Sequence, residues 1–303
     1  MNSREQPPEQ AITNQKDLDT RMRIEIKDIG IPPRPQILVA IEQEMRKDEP
    51  DFIRMSDLIS SDVALAAGLI KTANSPFFGF SKRVRTVKEA LVVLGLRTVT
   101  RSIAGLALQK IFPHTPSLER FWDASAKTAL IAAWLAGKCK FPAGVRPSDA
   151  YTFALFRDCG IPVLLIPFPE YTKVLQQANA CSDKAFTQVE DESLGVNHAI
   201  VGAGLAEGWL LPPEMCEAIR YHHSVPHMIG EIDDGLTAPA RNMIALAQTA
   251  EYLLSTASGL NQTCEWIKLG SACLGTLQIA EDELAALLDE FRQDERLTGG
   301  GAV

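Results

Sequence analysis

Helical periodicity is the feature that most constrains this chain, because apolar residues recur three or four positions apart along nearly all of it. Between residues 118 and 139, for example, Phe121, Ala124, Thr128 and Leu135 fall on one face of a helix. No stretch alternates apolar and polar residues over enough positions to require a β-sheet. Of the 303 residues, 46% are apolar and 22% are charged, which suffices for a large buried core. We therefore predict an all-α fold.

Capping and breaking residues divide this pattern into separate helices. Asp62 and Asn197 each precede a helical segment that they are suited to cap. Thr86 and Glu89 have the spacing of a capping box, and Gly95 is expected to end the helix that follows. The predicted helices cover 35–47, a short segment that opens at Ser56, 63–73, 86–95, 97–112, 118–139, 148–166, 169–179, 183–193, 197–208, 213–223, 239–256 and 281–294. Residues 226–238 are predicted to form a long loop, and Leu274-Gly-Thr a turn or cap.

Charge and cysteine content exclude several classes of protein. The net charge of -8 opposes broad electrostatic capture of nucleic acid or anionic lipid. Apolar runs such as 129–137 are too short to cross a bilayer, and no signal-like segment opens the chain. None of the 6 cysteines forms a Cys-x-x-Cys pair, which argues against a zinc cluster or a disulfide framework. We expect a soluble, cytoplasmic protein with reduced thiols and no membrane association.

Four residues could form a metal site within a helical bundle: Asp158, His198, His222 and His223. A hydrolytic centre needs His and carboxylate ligands that converge from several helices. Asp158 lies in the apolar segment 148–166, where an unpaired carboxylate would be costly. Each residue also has a structural explanation, since a buried Asp can cap a helix and a helical His is often a satisfied core residue. Adjacent histidines on a helix diverge, so we expect at most one of the pair to point into a shared site.

A series of motifs resembles the HDOD domain family, whose members are related to the HD and HD-GYP metal-dependent phosphohydrolases. The motifs are Ile31-Pro-Pro-Arg-Pro35, Leu58-Ile-Ser-Ser-Asp62-Val-Ala-Leu65, Ala73-Asn-Ser75 with Gly79, Leu94-Gly95, Phe121-Trp122, Asn197-His198, Trp209-Leu-Leu-Pro212 and Tyr221-His222-His223, in that order. The resemblance covers about 29–225 and implies two linked helical subdomains and a regulatory role in bacteria, usually without catalysis. We accordingly expect a disordered leader (1–26), an HDOD domain (27–225, divided into 27–113 and 114–225), C-terminal helices packed on its second part (226–297) and a disordered tail (298–303).

The resemblance also implies which metal ligands are missing. The enzymes' first histidine falls at Ala124, their His-Asp pair on Arg157-Asp158, and their closing aspartate near Gln248. Their later histidines match His198 and one of His222 and His223, and the Gly-Tyr-Pro motif is absent. A guanidinium stays protonated and has no lone pair for a metal. We therefore expect no catalytic residue, bound metal or cofactor; Arg157 either pairs with a carboxylate as a substitute cation or forms an anion pocket.

A second candidate surface follows the third predicted helix. Phe77, Phe78 and Phe80 could plug the joint between subdomains or anchor a partner. Lys82, Arg83 and Arg85 begin the one local basic cluster, which continues through Lys88, Arg97 and Arg101. This cluster could contact an acidic partner, a nucleotide or nucleic acid, or be a solvated helix face.

Three functions follow from these features. The first is a non-catalytic signal-transduction module that binds a protein partner or a small ligand, and the incomplete ligand set favours it. The second is a phosphohydrolase in which Asp158, His198 and one of the paired histidines hold a single metal. The third is a nucleic-acid or nucleotide binder that uses the basic cluster.

Overall fold

The computed structural model describes residues 31–75, 78, 82–113, 115–138, 145–231, 236–259 and 263–294, and these contain helices but no strand. The predicted all-α fold is thereby confirmed. The predicted leader and tail, with Phe77 and Phe80, lie outside the described residues. The helices are α1 (Gln36–Met45), α2 (Phe52–Ser60), α3 (Val63–Ala73), α4 (Val87–Ile111), α5 (Pro116–Lys138), α6 (Pro147–Phe156), α7 (Gly160–Leu164), α8 (Tyr171–Ala180), α9 (Phe186–Leu194), α10 (His198–Gly208), α11 (Pro213–Tyr221), α12 (Val225–Ile229), α13 (Ala238–Ser258), α14 (Glu265–Leu277) and α15 (Glu281–Gln293).

Side-chain caps begin several of these helices where the sequence predicts them. The Asp62 carboxylate accepts hydrogen bonds from the first backbone amides of α3, and Asn197 accepts one from Ile200 at the start of α10. Thr86 caps α4, but Glu89 accepts from the amide of Arg85, one residue before the cap. The predicted start of α2 at Ser56 is wrong, because the carboxylate of Asp51 caps this helix a turn earlier.

Helix α4 is long and apolar enough to cross a bilayer by length and composition, contrary to the prediction that no run is long enough. It bends at Gly95, whose φ of 75° is open to glycine and strained for other residues. It packs against α1, α2, α3 and α6. Its buried apolar residues, among them Leu91, Ile103 and Leu108, therefore belong to the core of the helical bundle, whereas Val92 and Val93 are exposed.

The Ala73-Asn-Ser75 motif joins α3 to α4. The side-chain amide of Asn74 donates to the carbonyl oxygens of Ile70 and Val84, and its oxygen accepts from the Val84 amide at 2.8 Å. One side chain thus fixes the ends of the connecting segment. This motif has a structural role in the N-terminal group of helices.

The helices form two groups. Helices α1 to α3 pack around α4, whereas α5, α6 and α13 form the centre of the second group, with α7, α10, α11 and α14 around them. Contacts between α4 and α6 link the groups, and the indole of Trp209 donates to the Pro32 carbonyl at 3.1 Å. The second group positions the candidate site.

Residues 148–166 do not form the single central helix predicted from their composition. They form α6 and α7, which are separated by a turn at Arg157, Asp158 and Cys159. Gly160 opens α7 directly against α10, and a Cβ at this position would lie 2.0 Å from the backbone oxygen of His198. The absence of a side chain at Gly160 therefore lets the turn approach the start of α10.

The C-terminal part is more helical than the sequence indicates. Val225–Ile229 forms α12 inside the predicted long loop, part of which lies outside the described residues. Leu274-Gly-Thr lies within α14, so its prediction as a turn is wrong. Gly195, by contrast, has a φ of 75° and ends α9.

We predict that Gly160→Ala destabilises the fold by about 3 kcal/mol, because the new methyl group meets backbone and no flexible side chain can move away. Urea denaturation would measure the free energy of unfolding. Gly137→Ala is the matched control, since a Cβ at this helical glycine meets nothing within 4 Å. Equal effects of the two substitutions would contradict the proposed role of the close contact.

Candidate functional site

Asp158, His198, His222 and His223 come together at one point. One ligand atom from each lies within 4.8 Å of all the others. Asp158 lies in the turn after α6, His198 is the first residue of α10, and the two histidines follow α11. The expectation that only one of these two points into the site is wrong, because α11 ends at Tyr221 and the histidines continue in a turn.

The orientation of His222 is set by its backbone neighbours. Its Nδ1 lies 2.7 Å from the Ile219 carbonyl oxygen, which can only accept, so Nδ1 carries a proton. Its Nε2 faces Asp158 Oδ1 at 3.1 Å and His198 Nε2 at 3.3 Å. Burial and the charge of His223 lower the pKa of His222 to about 3. The ring is therefore neutral, with its Nε2 lone pair directed into the cluster.

His198 is protonated, whereas His222 is neutral. Its Nδ1 lies 2.7 Å from an oxygen of Glu190, a fully buried carboxylate that also accepts from the Tyr171 hydroxyl. Burial alone would lower the pKa of His198, but Glu190 and Asp158 outweigh it and raise this pKa to about 10. The protonated ring donates to Glu190 on one side and faces Asp158 and His222 on the other.

His223 forms a separate contact with α14. Its Nδ1 lies 2.5 Å from Glu265 Oε2, and its ring stacks on Phe186 with centroids 4.8 Å apart. Burial would raise the pKa of Glu265, but His223 and Lys268 lower it to about 2. The carboxylate is therefore ionised and held between two cationic or hydrogen-bonding partners.

Arg157 makes the contacts that the sequence predicts for a substitute cation. Its Nη2 lies 3.1 Å from Asp158 Oδ2 and 3.1 Å from Glu251 Oε2, while its Nε also donates to Asp158. The guanidinium side chain is 8% exposed. Burial would raise the pKa of Asp158, but the charge of Arg157 and a hydrogen bond from protonated His198 hold it well below its usual range.

Three carboxylates of this site were not predicted: Glu190, Glu251 and Glu265. Glu251 lies one helical turn after Gln248, where the sequence places a lost aspartate, and the Gln248 amide donates to Glu251 at 3.2 Å. Glu251 could have been found by following that helix face by one further turn. Glu190 lies on α9 and Glu265 on α14, and each approaches a histidine of the site only in the folded chain.

A cavity of about 380 Å³ opens beside the cluster. Ala124, the position of the first missing histidine, lies in its wall together with Arg157. Helices α5, α6, α8, α10 and α13 all contribute to its lining. The cavity therefore occupies the space that a histidine at position 124 would partly fill.

The charges of the cluster do not fit a resident divalent cation. Arg157 donates to Asp158 Oδ2 and to Glu251. Arg157 and Glu251 together fill the space beside Asp158 where a further metal ligand would have to lie. A guanidinium cannot lose its proton at ordinary pH and repels a nearby cation. Ala124 supplies no donor atom at the cavity wall. His198 and His222 already donate to acceptors within the protein, the Glu190 carboxylate and the Ile219 carbonyl.

Comparison with known proteins places this arrangement in a family. Residues 31–225 match the model of the HDOD domain. The chain belongs to the HDOD domain family. The resemblance found in the motifs is thereby confirmed, and the family segment ends before α13, which supplies Glu251 to the site of this HDOD protein.

The chain also has a relative and structural neighbours of known coordinates. An uncharacterised protein of Treponema pallidum is 30% identical over 198 residues, which are 65% of this chain and 38% of that protein. An HDOD domain protein of unknown function from Geobacter sulfurreducens has a TM-score of 0.65, 22% identity and coverage of 92% of this chain and 97% of its own. A protein from Shewanella amazonensis proposed to be a phosphohydrolase has a TM-score of 0.66, 19% identity and the same coverage. At these identities the structures establish the HDOD fold.

The second candidate surface is partly within the described residues. Lys82, Arg83 and Arg85 are exposed, and none of them forms an ion pair with another described residue. Phe78 is partly buried. Arg101, further along the cluster, pairs with Asp149 and is therefore a structural residue.

We predict that the buried His198 and Glu190 pair makes stability fall as the solution becomes alkaline. Because the folded-state pKa of about 10 lies above 6.5, the protonated ring stabilises the fold fully below pH 6.5 and loses this effect as pH rises toward 10. The free energy of unfolding should fall by up to about 1.4 kcal/mol per pH unit in this window. Urea denaturation between pH 6.5 and 9.5 measures the slope.

Glu190→Gln removes the charge that holds the proton on His198, and we expect a flatter slope in this variant. Glu192→Gln, an exposed change on the same helix, is the control and should leave the slope unchanged. Parallel slopes for the wild type and Glu190→Gln would show that the pair does not set the pH dependence.

Proposed function

We propose that this chain is a non-catalytic regulatory module of a bacterial signalling pathway, located in the cytoplasm, that acts by binding a protein partner or a small ligand. The HDOD family, and a protein from Marinobacter aquaeolei proposed to act in signal transduction, support a regulatory role. That protein has a TM-score of 0.63 and 24% identity, and the match covers 90% of this chain and 59% of that one.

One observation carries the proposal: the Arg157 guanidinium lies between Asp158 and Glu251. The resemblance to the HD enzymes implies a metal-binding histidine at this position. A buried carboxylate must be neutralised by a cation or a proton. Arg157 supplies this cation permanently. The chain therefore keeps the architecture of a metal centre without depending on a metal.

A reduced phosphohydrolase is the second candidate, and the convergence of four ligand atoms within 4.8 Å favours it. Such an enzyme would need a metal that displaces the proton of His198 and withstands the charge of Arg157. The metal content of the purified protein and its phosphodiesterase activity in added manganese separate the two candidates. Stoichiometric metal with turnover that Asp158→Ala abolishes would overturn our proposal.

If Arg157 replaces a metal cation, a variant that lacks Arg157 should bind a metal ion at the two carboxylates that Arg157 neutralises. Arg157→Met leaves Asp158 and Glu251 without their cation, and we expect a loss of about 3 kcal/mol in the free energy of unfolding. Added Mn²⁺ should then raise the melting temperature of the variant by about 3 °C or more and leave the wild type unchanged. Differential scanning calorimetry with and without the ion measures both effects.

Arg146→Met is the matched control, because Arg146 is half-exposed and pairs with Asp149 away from the cluster. We expect a change within about 0.5 kcal/mol and no response to Mn²⁺. Equal stabilisation of the wild type and Arg157→Met by Mn²⁺ would mean that Arg157 does not occupy the role of a cation.

For a protein partner, we propose the exposed basic residues Lys82, Arg83 and Arg85 as part of the contact surface. Because they form no ion pair with another described residue, they are available to an acidic surface. We expect Arg83→Glu/Arg85→Glu to lose salt-dependent capture of a signalling protein from the native host without a change in melting temperature.

Charge reversal at Lys173 and Arg292, two exposed cations on α8 and α15, is the control for the pulldown and should leave capture intact. Identical capture by the wild type and Arg83→Glu/Arg85→Glu would remove this surface from the proposal. Selective loss of a nucleic acid or nucleotide instead of a protein would support the third hypothesis.

A further inference from the structure

The cavity beside Arg157 is large enough for a small organic molecule. Its volume of about 380 Å³ lies at the lower end of the range for small-molecule sites, about 300–1,000 Å³. Leu175, Leu254 and Phe121 give it apolar walls on α8, α13 and α5. The exposed residues Ser117 and Arg120 also line it, so the cavity is open to solvent on the α5 side.

Every carboxylate in the lining is already paired with a cation of the protein. Asp158 and Glu251 both contact Arg157 at 3.1 Å, and Glu265 forms an ion pair with Lys268. A cationic ligand would therefore find no free counter-charge within the described lining. Its burial would cost the hydration free energy of an unpaired ion.

Anionic ligands are also disfavoured, because carboxylates lie beside the cations of the lining. The buried cations of the lining, Arg157 and protonated His198, are each shared by two carboxylates. A phosphate beside either of them would therefore lie close to negative charges. Arg120 is exposed, and solvent screens its attraction for an anion. The lining thus disfavours phosphate esters.

The cavity does offer hydrogen bonds to an uncharged molecule. Arg157 Nη1 has no partner among the described residues, but it is too deeply buried for a ligand atom to reach it. Ser125 and Ser255 donate to backbone carbonyls of their own helices and keep oxygen lone pairs as acceptors. An amide N–H of a ligand could therefore donate to a serine.

We propose that this cavity binds an uncharged small molecule that has an apolar body and an amide group. This assignment rests on the proposed function, because a resident metal would change the charge of the lining. The ligand would then regulate the module through α5, α8 and α13, which meet around the cavity.

Three probes of one shape and different charge test the proposal: benzamide, benzoate and benzamidine, together with the three corresponding naphthalene compounds. Ligand-observed NMR titration measures binding to the full chain. We expect the amide of at least one set to bind with a Kd on the order of 1 mM, about tenfold or more tighter than its charged analogues. Stronger binding of a carboxylate or an amidine would overturn the proposal, and so would the absence of binding by both amides.

Substitutions locate the binding site. Ala124→Phe should fill the cavity and abolish amide binding, whereas Lys127→Phe adds the same ring to an exposed position of α5 and should preserve it. If Ala124→Phe does not fold, Ser255→Phe fills the opposite wall from α13. Amide binding that survives both filling substitutions would place the ligand elsewhere and contradict the proposal.

The phosphodiesterase assay on the same protein keeps the two proposals separate. Amide preference without turnover supports both. Metal-dependent turnover with amide preference would refute the non-catalytic function and leave the ligand class standing. Preference for a carboxylate without turnover would refute the ligand class alone.

Discussion

The contact between the start of α7 and the start of α10 is the constraint on which the site depends. Gly160 brings its backbone so close to His198 that a Cβ would lie 2.0 Å from a carbonyl oxygen, and Gly202 packs against the same turn. The two helices can approach this closely because both positions lack a side chain. The turn that carries Arg157 and Asp158 is therefore fixed against the helix that carries His198, and the charged groups meet with little freedom to separate.

Buried charge at this junction explains the surrounding sequence. Asp158 is stabilised by Arg157 and by a hydrogen bond from His198, while His198 needs Glu190 as its second partner. Each added ion would be costly alone, and the network is favourable only because its members neutralise one another. The helices α9, α10 and α13 are thus linked by electrostatics as well as by apolar packing.

The features predicted from sequence are those that depend on neighbours along the chain. The caps at Asp62 and Asn197 follow from residue type, whereas Gly95, which the sequence predicts to end a helix, bends α4 instead. The prediction for His222 and His223 failed because both side chains reach the cluster from the turn that follows α11. The role of Glu265 comes from a contact across 42 positions, which no local pattern contains.

In our proposal a guanidinium takes the place of a metal, and this changes what the fold can respond to. A centre assembled around an ion is coupled to the concentration of that ion, since binding free energy contributes to folding. A cluster neutralised by Arg157 would have no such coupling, because its cation is covalently part of the chain and remains protonated. What remains variable is the occupancy of the adjacent cavity and of the outer surface. A domain of this kind is therefore suited to respond to a ligand or partner while its internal charge network stays constant.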